Sequence, residues 1–267
     1  MVLQLVNHIL LLSCLIIAAV SEAPMAKENC QERCGNITVP FPFGIGKGCY
    51  IDEWFEVVCV NGNNSANPVP VLKRVNMELL RINLYGYLDA KFPITFWNCS
   101  DRKTQLQNIP NLQGSPFVFS YDDSMFTSVG CGATAVISTE GQDGSIQVAG
   151  CSSSCTSWCQ TSIPTNLQAF NISFLDKEFG ISEKADCRYA FLVNQTWLSE
   201  PSVGNLSSLY EMTDVPVVLK WGLNSSNPPC MKPGTYYGNE SLGHICRCED
   251  GFDGNPYLPN GCQGKPF

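Results

Sequence analysis

Cys34-Gly-Asn-Ile-Thr-Val-Pro-Phe-Pro-Phe-Gly-Ile-Gly-Lys-Gly-Cys49 sets two prolines, two phenylalanines and four glycines between two cysteines. Pro40 and Pro42 fix φ and carry no N–H, so Val39 to Phe43 is expected to run extended at a sheet edge, with Phe41 and Phe43 on one side. Large aromatics dominate cores, and that burial is the expected fate of both rings rather than a ligand shelf. Gly44, Gly46 and Gly48 give the chain access to positive φ and let another backbone or a ligand come close. A phosphate cradle is excluded: Gly-x-x-x-x-Gly-Lys-Ser/Thr would need glycine where Phe41 stands and Ser or Thr at Gly48.

Outward from this segment, the N-terminus sets the compartment. Ile9 to Val20 is an apolar run that ends among Ala18, Ala19, Ser21 and Ala23, the pattern of a signal peptide over residues 1–23. A retained N-terminal anchor, hence membrane association, is the alternative. Gln4, Asn7 and His8 count against it, because they interrupt the only stretch approaching the roughly 20 apolar residues a spanning helix needs. Removal of Cys14 with the signal leaves fourteen cysteines: Cys30, Cys34, Cys49, Cys59, Cys99, Cys131, Cys151, Cys155, Cys159, Cys187, Cys230, Cys246, Cys248 and Cys262. An even number suits complete pairing in an oxidising compartment, with the connectivity open at this stage. Eight Asn-x-Ser/Thr sequons, at Asn36, Asn63, Asn98, Asn171, Asn194, Asn205, Asn224 and Asn239, mark expected surface sites of N-glycosylation. The expected product is a secreted glycoprotein of the cell exterior.

Short runs rich in Val, Ile, Phe, Tyr and Trp, punctuated by Gly, Pro, Asn and Ser, predict a mainly β chain. Expected strands are Trp54 to Val60, Val69 to Leu72, Leu80 to Tyr87, Pro116 to Tyr121, Ala133 to Ser138, Ser145 to Val148, Phe170 to Phe174, Ala190 to Val193 and Val215 to Trp221. Apolar residues at every second position in Phe117, Phe119, Tyr121 and in Phe170, Ile172, Phe174 give each run one buried face. The Ser-rich Cys151 to Cys159 segment reads as a divider and Asn224 to Pro229 as a linker. The expected organisation is a module over 28–131, a second β-rich module over 132–228 and a small cysteine-stapled tail over 229–267.

Charge and residue types remove several functions. The net charge of −8 disfavours nucleic acid, whose phosphates demand clustered Lys and Arg. The imbalance is uneven: Cys30 to Lys103 holds eight basic against seven acidic residues, and Thr104 onward seven against fifteen, which makes the first part the better partner for an anion. Cys151, Cys155 and Cys159 have helical ligand spacing, but the serines between them are poor helix formers, no His is near, and the secretory context favours disulfides; no metal and no cofactor are expected. His244 is the one histidine beyond the signal, with nothing like a nucleophile turn beside it. Asp122-Asp123 reads as a turn, since neighbours on a strand face opposite sides. No enzyme is expected.

Cys30-x-x-x-Cys34-Gly-Asn-Ile-Thr-Val-Pro-Phe-Pro-Phe-Gly-Ile-Gly, then Cys49-Tyr50 and Phe55-Glu-Val-Val-Cys59, resembles the galacturonan-binding domain of plant wall-associated receptor kinases. The likeness continues through Gly130-Cys131-Gly132, Gly150-Cys151-x-x-x-Cys155, Cys187 to Val193 and Val215 to Trp221. It closes on Cys246-Arg-Cys248-Glu-Asp-Gly-Phe to Cys262, which looks like the second half of an EGF-like module. That tail has only Cys230 before its Cys246-x-Cys248 pair and no Asp-x-Asp/Glu-Cys motif, so no calcium site is expected. The resemblance implies a receptor-type ectodomain that binds pectin and oligogalacturonides in the cell wall without catalysis; neither a His-Arg-Asp loop nor Asp-Phe-Gly occurs in the sequence. The alternative is a soluble interaction or decoy protein that pairs with full-length receptors or secreted enzymes and binds no carbohydrate. A uronate polymer presents spaced carboxylates and apolar sugar faces, so its receptor needs cations along a groove. Lys47, Lys73, Arg74, Arg81, Lys91, Arg102 and Lys103 are the expected donors.

Overall fold

A computed structural model describes residues 23–61, 67–97, 99, 108–141, 144–155, 157–175, 187–199, 209, 211–224, 230–239 and 242–264, the backbone alone for 234–239. The expected signal peptide up to residue 22, the sequons at Asn63, Asn98 and Asn205, and the cations Arg102 and Lys103 lie outside these residues.

Strands make up nearly all of the regular secondary structure among the described residues. In chain order they are β1 Arg33–Cys34, β2 Ile37–Thr38, β3 Gly44–Ile45, β4 Glu56–Asn61, β5 Pro68–Leu72, β6 Met77–Asn83, β7 Tyr87–Pro93, β8 Thr95–Trp97, β9 Phe117–Phe119 and β10 Ser124–Val129. There follow β11 Thr134–Gly141, β12 Gly144–Ser152, β13 Cys159–Ser162, β14 Asn171–Leu175, β15 Arg188–Asn194, β16 Asp214–Trp221, β17 Gly234–Asn239, β18 Gly243–Cys248, β19 Phe252–Gly254 and β20 Cys262–Gly264. The largest sheet has seven strands in the order β3-β4-β5-β6-β7-β16-β9. All its pairings are antiparallel except that of the edge strand β3 with β4. Beside it stand a four-stranded sheet, β13-β10-β15-β8, and a three-stranded one, β12-β11-β14.

The boundary expected at 131/132 falls between β10 and β11, and hydrogen-bonded pairing crosses it. β16 inserts between β7 and β9, with Leu219 opposite both Leu88 and Phe119. β15 likewise pairs with β10 on one side and β8 on the other. The physical cause is burial: Val215, Val217, Leu219 and Trp221 are apolar at every second position, and their strand is covered only between two earlier ones.

The quoted segment supplies the edge strand β3 of this sheet and packs its Phe43 into the core. Phe43 meets Phe55 edge-on at 4.9 Å and Trp221 at 5.2 Å between ring centroids, and Phe117 completes the cluster 5.5 Å from Phe55. Both phenylalanines are buried, as expected. The extended edge is not observed: residues 39–43 belong to no strand, and Phe41 and Pro42 form a turn across a cis peptide. The turn sends the rings to different neighbours, Phe43 into the cluster and Phe41 beneath the Lys27 ammonium at 4.5 Å. Gly44 serves close approach, since a Cβ there would lie 2.2 Å from the Cys49 carbonyl oxygen, while Gly46 and Gly48 hold φ of +91° and +87°.

All fourteen cysteines beyond Cys14 are paired: Cys30–Cys49, Cys34–Cys59, Cys99–Cys187, Cys131–Cys155, Cys151–Cys159, Cys230–Cys246 and Cys248–Cys262. The first two staple the quoted segment at both ends. The last two hold the tail, which consists of the hairpins β17-β18 and β19-β20. Asn255 is one of the side chains that fasten that tail to the rest. Fully buried, it donates from Nδ2 to the carbonyls of Met25 at 2.8 Å and Phe41 at 2.7 Å, and its Oδ1 accepts from the Tyr257 N–H at 3.0 Å.

Asn255→Ala strands the Phe41 carbonyl and the Tyr257 N–H, whereas the Met25 carbonyl keeps its bond from the Phe41 N–H. The expected loss is about 2–6 kcal/mol in chemical denaturation, at roughly 1–3 kcal/mol for each of the two buried groups left unpaired. A midpoint equal to that of the exposed control Gln147→Ala would contradict this role. Thiol titration of the unfolded, unreduced chain from which the signal has been removed is expected to find no free cysteine; a stoichiometric thiol would break the pairing above.

Candidate functional site

The alternation that buries one face of the seven-stranded sheet turns charge to the other. On β7, Leu88, Ala90 and Phe92 point inward, and Tyr87, Asp89 and Lys91 outward. On β6, Met77 and Leu79 are buried, and a bulge between Leu79 and Arg81 restores Arg81 to the outer side, opposite Asp89. Leu72 closes β5 facing inward, so Lys73 emerges outward at the start of the next turn, next to Glu56 of β4. Lys73, Arg81 and Lys91 thus share one face, as a site for a polyanion requires. Arg74 follows in the same turn, its guanidinium 4.2 Å over the Trp54 ring. Lys47 sits apart, exposed between Gly46 and Gly48 beyond the edge strand β3, with no ion pair among the described residues.

This face is not an open row of positive charge. Lys73 Nζ lies 2.8 Å from Glu56, Arg74 3.5 Å from Glu53, Arg81 Nε 2.6 Å from Asp89, and Lys91 Nζ 2.7 Å from Glu78. The hydrogen bond to Glu56 raises the Lys73 pKa above the ordinary lysine value. The cationic side chains nevertheless remain accessible, Arg81 at 69% and Lys73 at 56%, while Asp89 and Glu56 beneath them are exposed by only 15% and 16%. In the Lys73, Arg81 and Lys91 pairs the acids hold the cations from below and leave N–H groups directed to solvent, whereas Glu53 is more exposed than Arg74. Exposed pairs of this sort are worth about 0–1 kcal/mol, so an external carboxylate can exchange with the internal one at small cost.

The strand inserted from the second half of the chain adds a cation that reading the first hundred residues missed. Lys220 of β16 is on the outer side, opposite Tyr87, but its side chain is only 15% exposed, covered by its pairing with the more exposed Asp122 in the turn after β9. Burial disfavours its charge, but the hydrogen bond and attraction of Asp122 prevail and raise its pKa. Its ammonium stands 4.6 Å from the Tyr121 ring centroid and 5.9 Å from that of Tyr87. The signal was present in Val215-Pro-Val-Val-Leu-Lys-Trp221, whose inward alternation leaves Pro216, Val218 and Lys220 on the other face.

The described sequons lie elsewhere, Asn239 among them at the end of β17 opposite Gly243. Asn36 is exposed in the turn between β1 and β2, Asn171 on β14 and Asn224 after β16; Asn194 ends β15, its Oδ1 accepting from the Thr196 N–H at 2.9 Å. None of these lies on β4–β7. Asp122 and Asp123 do form a turn, with Asp123 accepting from the Ser120 hydroxyl at 2.6 Å. Cys151, Cys155 and Cys159 are consumed in disulfides.

Residues 30–88 match the family described as wall-associated receptor kinase galacturonan-binding, which covers β1–β6 and the start of β7. Three Arabidopsis thaliana proteins are similar over most of the chain. Wall-associated receptor kinase-like 6 is 30% identical across 88% of this chain and 44% of its own length. Wall-associated receptor kinase-like 4 is 31% identical across 95% and 39%, and wall-associated receptor kinase 5 is 29% identical across 89% and 34%. The chain therefore spans less than half the length of these relatives. No solved structure matches it. The chain is thus a disulfide-rich β protein whose residues 30–88 match the galacturonan-binding family and which is similar, over most of its sequence, to the matched part of these wall-associated receptor kinases.

Proposed function

We propose that this chain is an extracellular, N-glycosylated binding protein for de-esterified pectic galacturonan and its oligomers, without catalytic activity, and that the outer face of the seven-stranded sheet receives the polymer. The observation that carries the reading is the placement of Lys73, Arg81 and Lys91 on one exposed face of the sheet through which the galacturonan-binding match runs. Arg81 offers a fork suited to a carboxylate, and the lysines offer mobile point charges. Lys47, Arg74, Arg102 and Lys103 belong to the same proposal as further contacts along the polymer.

The internal ion pairs dictate the mode of binding. Each contact exchanges one carboxylate for another and contributes little alone, so affinity accumulates over repeated sugar units and declines as salt screens them. A protein partner held through an apolar patch would be far less sensitive to salt, which separates this reading from that of a soluble competitor for receptors. The cleavage of polygalacturonate is not part of the proposal, and incubation with it is expected to produce no new reducing ends.

Retention of the full chain on de-esterified pectin is expected to drop steeply as salt is raised across the range where the screening length shrinks from about 10 Å to about 3 Å. Lys73→Ala/Arg74→Ala is expected to weaken it further at low salt. Retention unchanged by both salt and substitution would overturn the site.

The opposite substitution is more discriminating. Glu78→Gln and Asp89→Asn remove the acids that occupy Lys91 and Arg81, and are expected to raise affinity for polygalacturonate, by about two- to fivefold each if an exposed pair holds up to roughly 1 kcal/mol. Weaker binding by both would mean that the acids position the cations rather than compete with the ligand.

A further inference from the structure

Where the face meets the tail, a cleft of about 190 Å³ opens between the β6-β7 turn, the end of β16 and β18. Tyr85 and Tyr87 flank Gly86 in that turn and are exposed by 52% and 37%. Gly86, at φ +91°, lets the turn pack against Ile245 of the tail. Asn83 fixes the turn by accepting from the Tyr85 N–H at 2.7 Å. Two cations reach the rings from separate parts of the chain. Arg247 of β18 stands 5.0 Å over the Tyr85 ring, and Lys220 lies near Tyr87 and, at 4.6 Å, over Tyr121, itself 43% exposed.

Among the described residues no aromatic ring packs on these exposed tyrosines, and cations lie alongside them. A pyranose ring has an apolar C–H face that stacks on an aromatic ring, and a uronate adds one carboxylate at its rim. We propose that this cleft is a subsite for a single hexuronate residue of the polymer, with Tyr85 and Tyr87 as the stacking platform and Lys220 and Arg247 as the partners of its carboxylate. The proposal rests on the galacturonan-binding reading above and makes the site composite. The platform comes from within residues 30–88, but both cations come from outside it, one from the inserted strand and one from the tail. The tail thereby completes the binding surface and is no mere spacer. The subsite also separates two kinds of recognition: stacking accepts any sugar face, while Lys220 and Arg247 select the free acid over its methyl ester.

The test compares wild type, Tyr85→Ala, Tyr87→Ala, Arg247→Gln and the distant surface control Ile146→Ser as full chains. The probes are an oligogalacturonide and its fully methyl-esterified form, with circular dichroism to confirm folding. Each tyrosine variant is expected to bind the free oligomer about two- to tenfold more weakly, the range of a ring contact, with the deficit persisting at high salt. Tyr85→Phe, which keeps the ring, is expected to recover most of that loss. Arg247→Gln is expected to narrow the preference for the free acid over the ester. Wild-type affinity in both tyrosine variants, while wild type itself binds, overturns the subsite and leaves the galacturonan reading standing. Failure of wild type to bind either probe overturns both.

Discussion

The structure depends on one aromatic cluster. Phe43, Phe55, Phe117 and Trp221 come from four separate segments and meet with ring centroids 4.9–6.3 Å apart, edge-on or tilted. Burying each ring stabilises the fold by about 1.5–3 kcal/mol, and the offset geometry adds to that. Satisfying Trp221 requires β16 to lie between β7 and β9, and its indole N–H donates to the Asn83 carbonyl at 3.2 Å. That single placement decides much of the rest. With Trp221 inward, Lys220 must face outward, and the chain beyond it is delivered beside the β6-β7 turn, where the tail packs. On the far side Tyr257, 6.0 Å from Trp221, accepts from the Cys246 N–H at 2.8 Å, and burial pushes its hydroxyl pKa well above the ordinary tyrosine value.

Much of this was legible in the residues. The strands with alternating or continuous apolar runs, β4, β5, β9, β11, β14, β15 and β16, fall close to where the pattern puts them, because burial of one face is what creates the pattern. β10 escaped it. Its Ser-Met-Phe-Thr-Ser-Val reads as polar, yet Ser124, Thr127 and Ser128 are buried. Ser124 Oγ donates to the Val218 carbonyl and accepts from the Val218 N–H, so small hydroxyls replace apolar burial with hydrogen bonds that no periodicity reveals. The turn at Phe41-Pro42 was likewise hidden, since prolines flanking an aromatic suit an extended edge as well as a bend. Sheet order lay out of reach for a different reason: the pairing of β16 with β7 is a long-range consequence of core packing, and composition shifts along the chain suggested a division that hydrogen bonding ignores.

The candidate site was legible in kind but not in state. Charge counting found the basic excess of the first part and so Lys73, Arg81 and Lys91, and strand alternation brings them to one side. What counting misses is that a near-neutral module arranges its charges as partners. Each of these cations rests on an acid less exposed than itself, which keeps the surface soluble and ready to exchange its internal carboxylate for an external one. Such a surface favours a long acidic polymer over a small anion, because many modest exchanges add up along a chain. Lys220 and Arg247 were overlooked because they lie far from the first module in sequence and reach its edge only through the fold.

The most direct measurement of this account is lysine labelling, by a small acylating reagent, of the folded chain with and without polygalacturonate, read residue by residue by mass spectrometry. Lys73, Lys91 and Lys220 are predicted to be protected together, and the exposed tail residue Lys232 to react at the same rate in both samples. Protection spread evenly over all four, or confined to Lys232, would contradict a polymer lying on the outer face of the sheet.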